Sequence, residues 1–174
     1  MKTLIAYATK YGTAKKCAEK IARHLPMGAD LLQIEKGTAA NLNAYDLVVV
    51  GTPIYMGRPL KVVKPFCERH MDALVARRVA LYMCCIQDQE KSVNDQFALA
   101  FPQKLRKHAL AMALLGGEVY PESLKFFDGL IMKIVTSSQP KELRMKPVSS
   151  LVEERFARFA EVLSETPTDS SSNA

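Results

Sequence analysis

The sequence predicts an α/β protein in which parallel strands alternate with helices in a doubly wound sheet, with helices on both faces. This prediction rests on three observations: five short apolar runs, amphipathic stretches of helical spacing between them, and glycine or proline where the pattern changes. The chain has 174 residues, 48% of them hydrophobic, which suits one domain over residues 1–165. It contains no run near the roughly 18 apolar residues that a membrane-spanning helix needs.

The first part of the chain predicts three strands and one helix. Residues 4–8 form a buried strand that stops at a polar turn, and from Ala14 apolar residues recur at helical spacing opposite a lysine-rich face. Residues 30–34 predict a second strand. The third, 47–50, is rich in valine, which is typical of a strand covered on both faces, and we expect Gly51 to stop it.

The rest of the chain alternates in the same way. After a loop at 52–59, we expect a helix at 62–74 that Pro65 interrupts at most locally, a strand at 79–86, a polar break at 87–94 and a helix at 95–108 that contains Pro102. Then we expect a strand at 111–120 bent at its glycines, an apolar helix at 124–135, a linker to Pro147, a helix at 148–163 and a disordered tail at 166–174. In such sheets ligands bind outside the carboxyl ends of the strands, so the loops after strands one, three and four are informative.

The net charge of +6 favours an anionic partner. The excess is concentrated in residues 1–80, which carry 13 basic and 6 acidic side chains. Nucleic acid is disfavoured, because the sequence has no zinc-ligand spacing, no RNP-like run and no dense Lys/Arg block. The four cysteines form no CxxC pair, and the start of the chain does not resemble a secretory signal, so we expect a cytoplasmic protein with reduced thiols and no metal.

The loop after the first strand, residues 9–14, reads Thr-Lys-Tyr-Gly-Thr-Ala. Hydroxyls, a glycine and successive N–H groups at a helix N-terminus form a cradle for a phosphate, because the unpaired donors and the helix dipole both favour an anion. The loop is neither GxxxxGK[ST] nor GxGxxG. The alternative is an ordinary helix start with Thr9 or Thr13 as the N-cap.

The loops after strands three and four are candidates for contact with a flat aromatic ligand. Residues 51–59 contain two glycines, two prolines and the large side chains Tyr55 and Met56. The alternative is a plain turn whose Tyr and Met pack into the core. The other loop begins at residues 84–87, where backbone amides are expected to face the same ligand, although Cys84 and Cys85 also suit small core positions.

These motifs resemble the flavodoxin family. The resemblance rests on T-x-x-G-x-[T] after the first strand, Gly-Thr-Pro-Ile-Tyr after the third, and five alternating strands and helices. It implies a sheet of order 2-1-3-4-5 and FMN as the cofactor. Residues 51–57, 116–121 and 127–133 further resemble the menaquinone-dependent protoporphyrinogen IX dehydrogenase branch.

The resemblance also implies which residues contact FMN. Those expected around the phosphate are Thr9, Lys10, Tyr11, Gly12, Thr13 and Ala14. Those expected beside the isoalloxazine are Thr52, Pro53, Ile54, Tyr55, Met56, Gly57, Cys84, Cys85, Ile86 and Gln87. The chain departs from the family in two ways: Ala14 stands where Thr is usual, and the loop after strand four lacks a stacking aromatic, which leaves Tyr11 and Tyr55 as the aromatic candidates.

The activity implied is that of an FMN-dependent dehydrogenase of heme biosynthesis, which passes electrons from a porphyrinogen to a quinone. Small flavodoxin carriers are typically acidic, so the charge of +6 disfavours a carrier. Arg58 and Lys61, with Lys64, are candidates to bind substrate carboxylates or to approach an anionic membrane surface peripherally. The alternative is a solvated helix face.

Two other function classes stay open: an electron carrier between proteins and a flavin-free binding module. The apolar helix at 124–135 suits either an interfacial contact or an ordinary buried position. We expect His24, His70 and His108 to be surface or packing residues, and no acid or base is assigned.

Overall fold

The sheet of this protein, seen in a computed structural model, has five parallel strands and one short antiparallel strand. The structure describes residues 1–55, 57–85, 90–119 and 148–165. The strands of the sheet are β1 (Thr3–Tyr7), β2 (Asp30–Gln33), β3 (Leu47–Tyr55), β4 (Arg58–Pro59), β5 (Arg78–Cys84) and β6 (Ala111–Leu114). Their order is β2-β1-β3-β5-β6, with β4 paired antiparallel to β3. The α/β fold class is confirmed, and if the two-residue β4 is set aside, the parallel strands follow the expected 2-1-3-4-5.

Six α-helices and one short ribbon complete the described elements. The helices are α1 (Thr13–His24), α2 (Val63–Arg69), α3 (Met71–Val75), α4 (Glu90–Ala100), α5 (Gln103–His108) and α6 (Glu153–Ser164), with a 3-10 turn at Leu42–Ala44. The ribbon pairs β7 (Glu118–Val119) with β8 (Val148–Ser149) in antiparallel register.

Two apolar layers hold the helices on opposite faces of the sheet. On one face, α1 and α6 contribute Ile21 and Phe156 to a core shared with alternate residues of β1, β3 and β5. On the other face, α2 to α5 contribute residues such as Phe66 and Phe97. Because successive strand residues point to opposite faces, Val49 lies in the first core and Val48 in the second. The central strands are therefore buried on both sides, as the valine-rich run predicted.

The prediction that Gly51 ends the third strand is wrong. β3 continues to Tyr55, and Gly51 pairs with Tyr7 of β1 on one side and with Tyr82 of β5 on the other. A Cβ on Gly51 would lie 1.9 Å from Cζ of the Tyr82 ring. This glycine therefore makes room for a neighbouring side chain and does not mark a turn. The expected loop at 52–59 is correspondingly a strand extension followed by a hairpin to β4.

Two predicted helices are each divided. The helix at 62–74 breaks at His70 and not at Pro65, which is tolerated because it lies in the first turn of α2, where its N–H has no partner to lose. The helix at 95–108 breaks at Pro102, the N-cap of α5, because proline cannot donate to the preceding turn. Its first half, α4, starts at Glu90, inside the expected polar break, with the buried Phe97 on its inner face.

The boundaries near the end of the chain also differ from the prediction. The strand at 111–120 ends at Leu114, because Gly116 has a φ of 83° and turns the chain away toward β7. The helix at 148–163 begins at Glu153, because Val148–Ser149 pairs with β7. The expected apolar helix at 124–135, most of the linker to Pro147 and the tail at 166–174 lie outside the described residues.

The contact between Gly51 and Tyr82 generates a stability prediction. We expect Gly51→Ala to lower the free energy of unfolding by about 2–3 kcal/mol, because the added methyl overlaps a fully buried ring. Urea unfolding measures the loss. The control is Gly37→Ala, whose Cβ meets nothing within 4 Å and which costs about 1 kcal/mol for its φ of 85° alone. Equal losses in the two variants would contradict the steric explanation.

Candidate functional site

The candidate site lies at the carboxyl ends of β1 and β3. β1 pairs with β2 on one side and β3 on the other, so the chain connections diverge between β1 and β3. A hydrogen bond of 3.0 Å from the N–H of Ala8 to the carbonyl of Gly51 joins the two strand ends. In doubly wound sheets this switch in strand order opens the crevice in which ligands bind. The segments expected to bind the cofactor, residues 9–14 and the end of β3, both leave the sheet here.

The loop at 9–14 has the geometry of an anion cradle. Gly12 is the N-cap of α1 with a φ of 89°, and no side chain caps the helix. The N–H of Gly12 donates to Oγ1 of Thr9 at 3.0 Å, which tightens the loop and leaves the hydroxyl proton of Thr9 available as a donor. Among the residues described, none accepts a hydrogen bond from the N–H groups of Thr13, Ala14 or Lys15. The alternative in which Thr9 or Thr13 is the N-cap is wrong.

Ala14 contributes through its backbone. It is fully buried against the sheet, so its side chain faces the core, and its carbonyl accepts a hydrogen bond of 2.9 Å from the Tyr82 hydroxyl. The hydroxyl of Thr13 donates to the carbonyl of Glu118 at 3.4 Å and is therefore not free to replace the missing threonine contact. The donors available to an anion in this loop thus include the first-turn N–H groups and the hydroxyl of Thr9.

An aromatic pair closes the other side of the crevice. The rings of Tyr11 and Tyr55 lie 5.6 Å apart at an interplanar angle of 51°, and their hydroxyl oxygens are 3.4 Å apart. The ammonium of Lys10 lies 3.8 Å from the Tyr55 ring centroid and 5.0 Å from that of Tyr11, within cation–π range of both. For Tyr55, the alternative of a side chain packed into the core is wrong, because the ring contacts the first loop. Met56 lies outside the described residues.

The rest of the hairpin is structural. Thr52 is fully buried, and its hydroxyl accepts from the N–H of Leu60 at 3.3 Å and donates to the carbonyl of Pro53 at 3.2 Å. Ile54 packs against the core on the α2 side of the sheet, and Gly57 is exposed at the turn with a φ of 73°. Of the residues predicted here that the structure describes, Tyr55 is the one whose side chain contacts the first loop.

The loop after β5 offers a ligand fewer free backbone amides than expected. Cys84 is buried, with its sulfur 3.2 Å from that of Cys17, and the N–H of Cys85 donates to the carbonyl of Gly116 at 2.9 Å. That amide is therefore committed within the fold, contrary to the expectation that it faces a ligand. Ile86 and Gln87 lie outside the described residues.

The buried thiols of Cys84 and Cys67 are held in their protonated, unreactive form. Burial, and then the hydrogen bond to Cys17, holds the pKa of the Cys84 thiol well above its ordinary value. Burial likewise raises the pKa of Cys67 to about 12. Both thiols therefore stay protonated at neutral pH, which suits the interpretation of Cys84 as a small core residue.

Much of the positive charge on α1 is paired with carboxylates from the end of the chain. Lys16 pairs with Glu118 at 2.8 Å, while Lys20 and His24 both contact Glu153, the first residue of α6. The excess charge of residues 1–80 is therefore partly used in holding α1 to β7 and α6.

The basic residues near the hairpin differ from those of α1. Arg58 on β4, Lys61 and Lys64 are all exposed, and across the described ranges none of them forms an ion pair. Arg58 pairs with Tyr55 in the hairpin, Lys61 follows β4 by two residues, and Lys64 is the second residue of α2. We call these three residues the basic rim.

The histidines have packing and surface roles, as predicted. His24 contacts Glu153, His70 stacks on Phe66 with ring centroids 4.5 Å apart, and His108 contacts the carbonyl of Arg77 at 2.6 Å. Within the part of the chain that the structure describes, no three metal-binding side chains cluster, and no helix is long and apolar enough to cross a membrane.

Sequence reasoning missed Tyr82. It lies beneath the first loop, is fully buried, and connects β5 to α1 through the Ala14 carbonyl. A signal was present, because a tyrosine inside an otherwise apolar strand needs a partner for its hydroxyl. Finding that partner requires the register that places Tyr82 beside Gly51.

The fold and the site together define a doubly wound α/β protein with an anion cradle and an aromatic pair at its switch point. A family model described as a flavodoxin domain matches residues 4–144, and the chain belongs to this family. No curated protein matches the sequence.

Several solved structures resemble this chain. The two-electron reduced flavodoxin of Megasphaera elsdenii is 17% identical over 64% of this chain and 84% of its own, with a TM-score of 0.50, and it shows the fold. A flavoprotein of Lactobacillus acidophilus NCFM in complex with FMN is 19% identical over 67% of this chain and 91% of its own, with a TM-score of 0.48. A WrbA-like flavodoxin of Agrobacterium tumefaciens is 21% identical over 64% and 74%, with a TM-score of 0.49. The protoporphyrinogen dehydrogenase branch has no support from these comparisons.

The ion pairs of Glu153 predict a pH dependence of stability. Lys20, and then His24, lowers the pKa of Glu153 below its ordinary 4.5. A carboxyl whose pKa is lowered on folding stabilises the protein above the unfolded pKa and loses that contribution as the pH falls through the folded pKa. We therefore expect Glu153→Gln to reduce the unfolding free energy at pH 7 and the difference from the wild type to disappear as the pH falls below 4.5 and through the lowered pKa of Glu153.

Urea unfolding at several pH values measures this effect. The control is Glu161→Gln, another exposed glutamate on α6, which we expect to show no such pH-dependent difference. A loss for Glu153→Gln that persists undiminished at low pH would contradict the ion-pair explanation.

Proposed function

We propose that this protein binds FMN at the crevice between β1 and β3 and acts as an oxidoreductase. The observation that carries the proposal is the meeting of two chemically different surfaces: the open N–H groups of α1 and the Tyr11–Tyr55 pair. FMN joins an anionic phosphate to a flat aromatic ring, which matches these two surfaces. Membership of the flavodoxin family supports FMN as the cofactor.

The residues present suit such a ligand. The N–H groups of Thr13, Ala14 and Lys15 would hold the phosphate, helped by the hydroxyl of Thr9 and the positive end of the α1 dipole. Tyr11 and Tyr55 would border the ring, and the fully buried strand ends beneath it would exclude water from that side. When bound, FMN supplies the electron and hydride transfer. The protein's part is binding, orientation and electrostatics.

For the substrate, we propose a carboxylated compound of the porphyrinogen type, with a quinone as electron acceptor. The basic rim supports this choice, because Arg58, Lys61 and Lys64 are exposed and Arg58 pairs with Tyr55 in the hairpin. Guanidinium and ammonium groups bind carboxylates through charge-assisted hydrogen bonds. The same rim suits a peripheral approach to an anionic membrane, where quinones reside.

The first test is flavin binding. We expect purified protein to take up FMN and to quench its fluorescence, and Tyr55→Leu to weaken binding roughly fivefold, the scale of one aromatic contact. Tyr45→Leu is the control, because Tyr45 lies before β3 at the opposite end of the sheet and contacts Asp30. If the protein takes up no FMN, the oxidoreductase proposal fails and a flavin-free binding module is favoured.

The second test is turnover of protoporphyrinogen IX with a menaquinone analogue. Charge reversal at Arg58 and Lys61 together should raise KM roughly fivefold and leave FMN affinity unchanged, as expected for exposed ion pairs. The control changes Lys104 and Lys107 of α5 to Glu, which alters the net charge equally on another surface. Uptake of FMN without oxidation of the porphyrinogen would overturn this substrate and favour an electron carrier.

A further inference from the structure

We propose that Tyr82 is a positioning residue that fixes the first turn of α1 and thereby sets the affinity of the cradle for the phosphate of FMN. This inference rests on the proposed function for its ligand. It concerns a residue on β5 that belongs to neither of the two surfaces lining the crevice. Tyr82 would act on the phosphate through α1 and not by contact.

The position of Tyr82 is determined by the sheet. The residue lies in the seven-residue strand β5 and pairs with Gly51 of β3. Its ring extends across the bare backbone of Gly51, where a Cβ would overlap the ring at 1.9 Å. The hydroxyl then reaches the Ala14 carbonyl on α1 at 2.9 Å. One side chain therefore spans β5, β3 and the helix.

The hydrogen bond from Tyr82 ends at the first turn of α1, the turn whose N–H groups would bind the anion. Ala14 is the second residue of α1, between the N–H donors of Thr13 and Lys15. No side chain caps this helix. A hydrogen bond from the rigid centre of the sheet to this turn limits how far the helix end can shift along its axis. Because hydrogen bonds weaken steeply with distance and angle, a shift of the donors weakens every bond to the phosphate at once.

The environment makes the bond persistent. Tyr82 is fully buried, and burial, followed by the nearby Cys84 and Cys17 thiols, raises its pKa well above the ordinary value. The hydroxyl therefore remains a protonated donor at neutral pH. A hydrogen bond away from water is electrostatically stronger than one at the surface.

Tyr82→Phe isolates the role of the hydroxyl. The ring is kept, and the Ala14 carbonyl lies within α1, where it retains the helical acceptor role, so we expect the variant to fold. We expect its affinity for FMN to fall severalfold and by no more than about tenfold, because the bond is present with and without FMN and only its ordering of the turn affects binding, so the energy of one buried hydrogen bond is the upper limit. Its affinity for riboflavin, which lacks the phosphate, should change by less than about twofold.

A second measurement does not depend on flavin. Amide hydrogen exchange in flavin-free protein should be faster at residues 12–16 in Tyr82→Phe than in the wild type, and unchanged in α6. The matched control is Cys17→Ala, which disturbs the same buried cluster one turn further along α1 but leaves the bond from Tyr82 to Ala14 intact. We expect this control to keep the wild-type ratio of FMN to riboflavin affinity.

The outcomes of these experiments distinguish a failure of the positioning role of Tyr82 from a failure of the FMN proposal. Unchanged exchange at residues 12–16 would overturn the positioning role whatever the flavin result. Faster exchange with an equal loss of FMN and riboflavin binding would overturn it as well, because the residue would then be merely structural. If the wild type binds neither flavin, the FMN proposal fails, and the exchange measurement still decides whether Tyr82 holds the helix.

Discussion

The close approach of a tyrosine ring to a bare backbone determines how this protein is organised around its crevice. Tyr82 lies against Gly51 because the two residues pair across β3 and β5, and its hydroxyl ends at the first turn of α1. Any larger residue at position 51 would displace the ring, and with it the helix start. The strand ends that carry the two halves of the site and the helix that supplies the N–H donors thus depend on one contact.

The distribution of charge shows which of the excess positive side chains of this basic protein are paired within the fold. On α1, Lys16 pairs with Glu118, and Lys20 and His24 contact Glu153, so these side chains hold the helix to β7 and α6. Lys10 lies over two tyrosine rings, and the basic rim extends into solvent. Net charge alone suggested an anionic partner, and the ion pairs show that part of the positive charge on α1 is already used within the fold.

More of the fold than of the candidate site was predictable from the sequence. Apolar periodicity identified all five parallel strands, since a strand buried on both faces has a continuous apolar run. Boundaries failed where a distant segment decides them: β3 continues beyond Gly51 because Thr52 and Pro53 pair with β5, and α6 starts late because Val148–Ser149 pairs with β7. Tyr11 and Tyr55 were each predicted as aromatic candidates from their loops, but the contact between their rings depends on where the two loops leave the sheet, and the burial of the Ala14 side chain depends on helix rotation.

The hairpin after β3 also affects how the molecule behaves toward its own copies. An extended strand that ended without a neighbour would present N–H and C=O groups on which another chain can add a strand. The last two residues of β3 are instead covered by β4, whose two residues are Arg58 and Pro59. A guanidinium repels a second copy, and proline has no N–H with which to continue a ladder. The same arginine that forms part of the basic rim therefore helps to keep this end of the sheet from associating with itself.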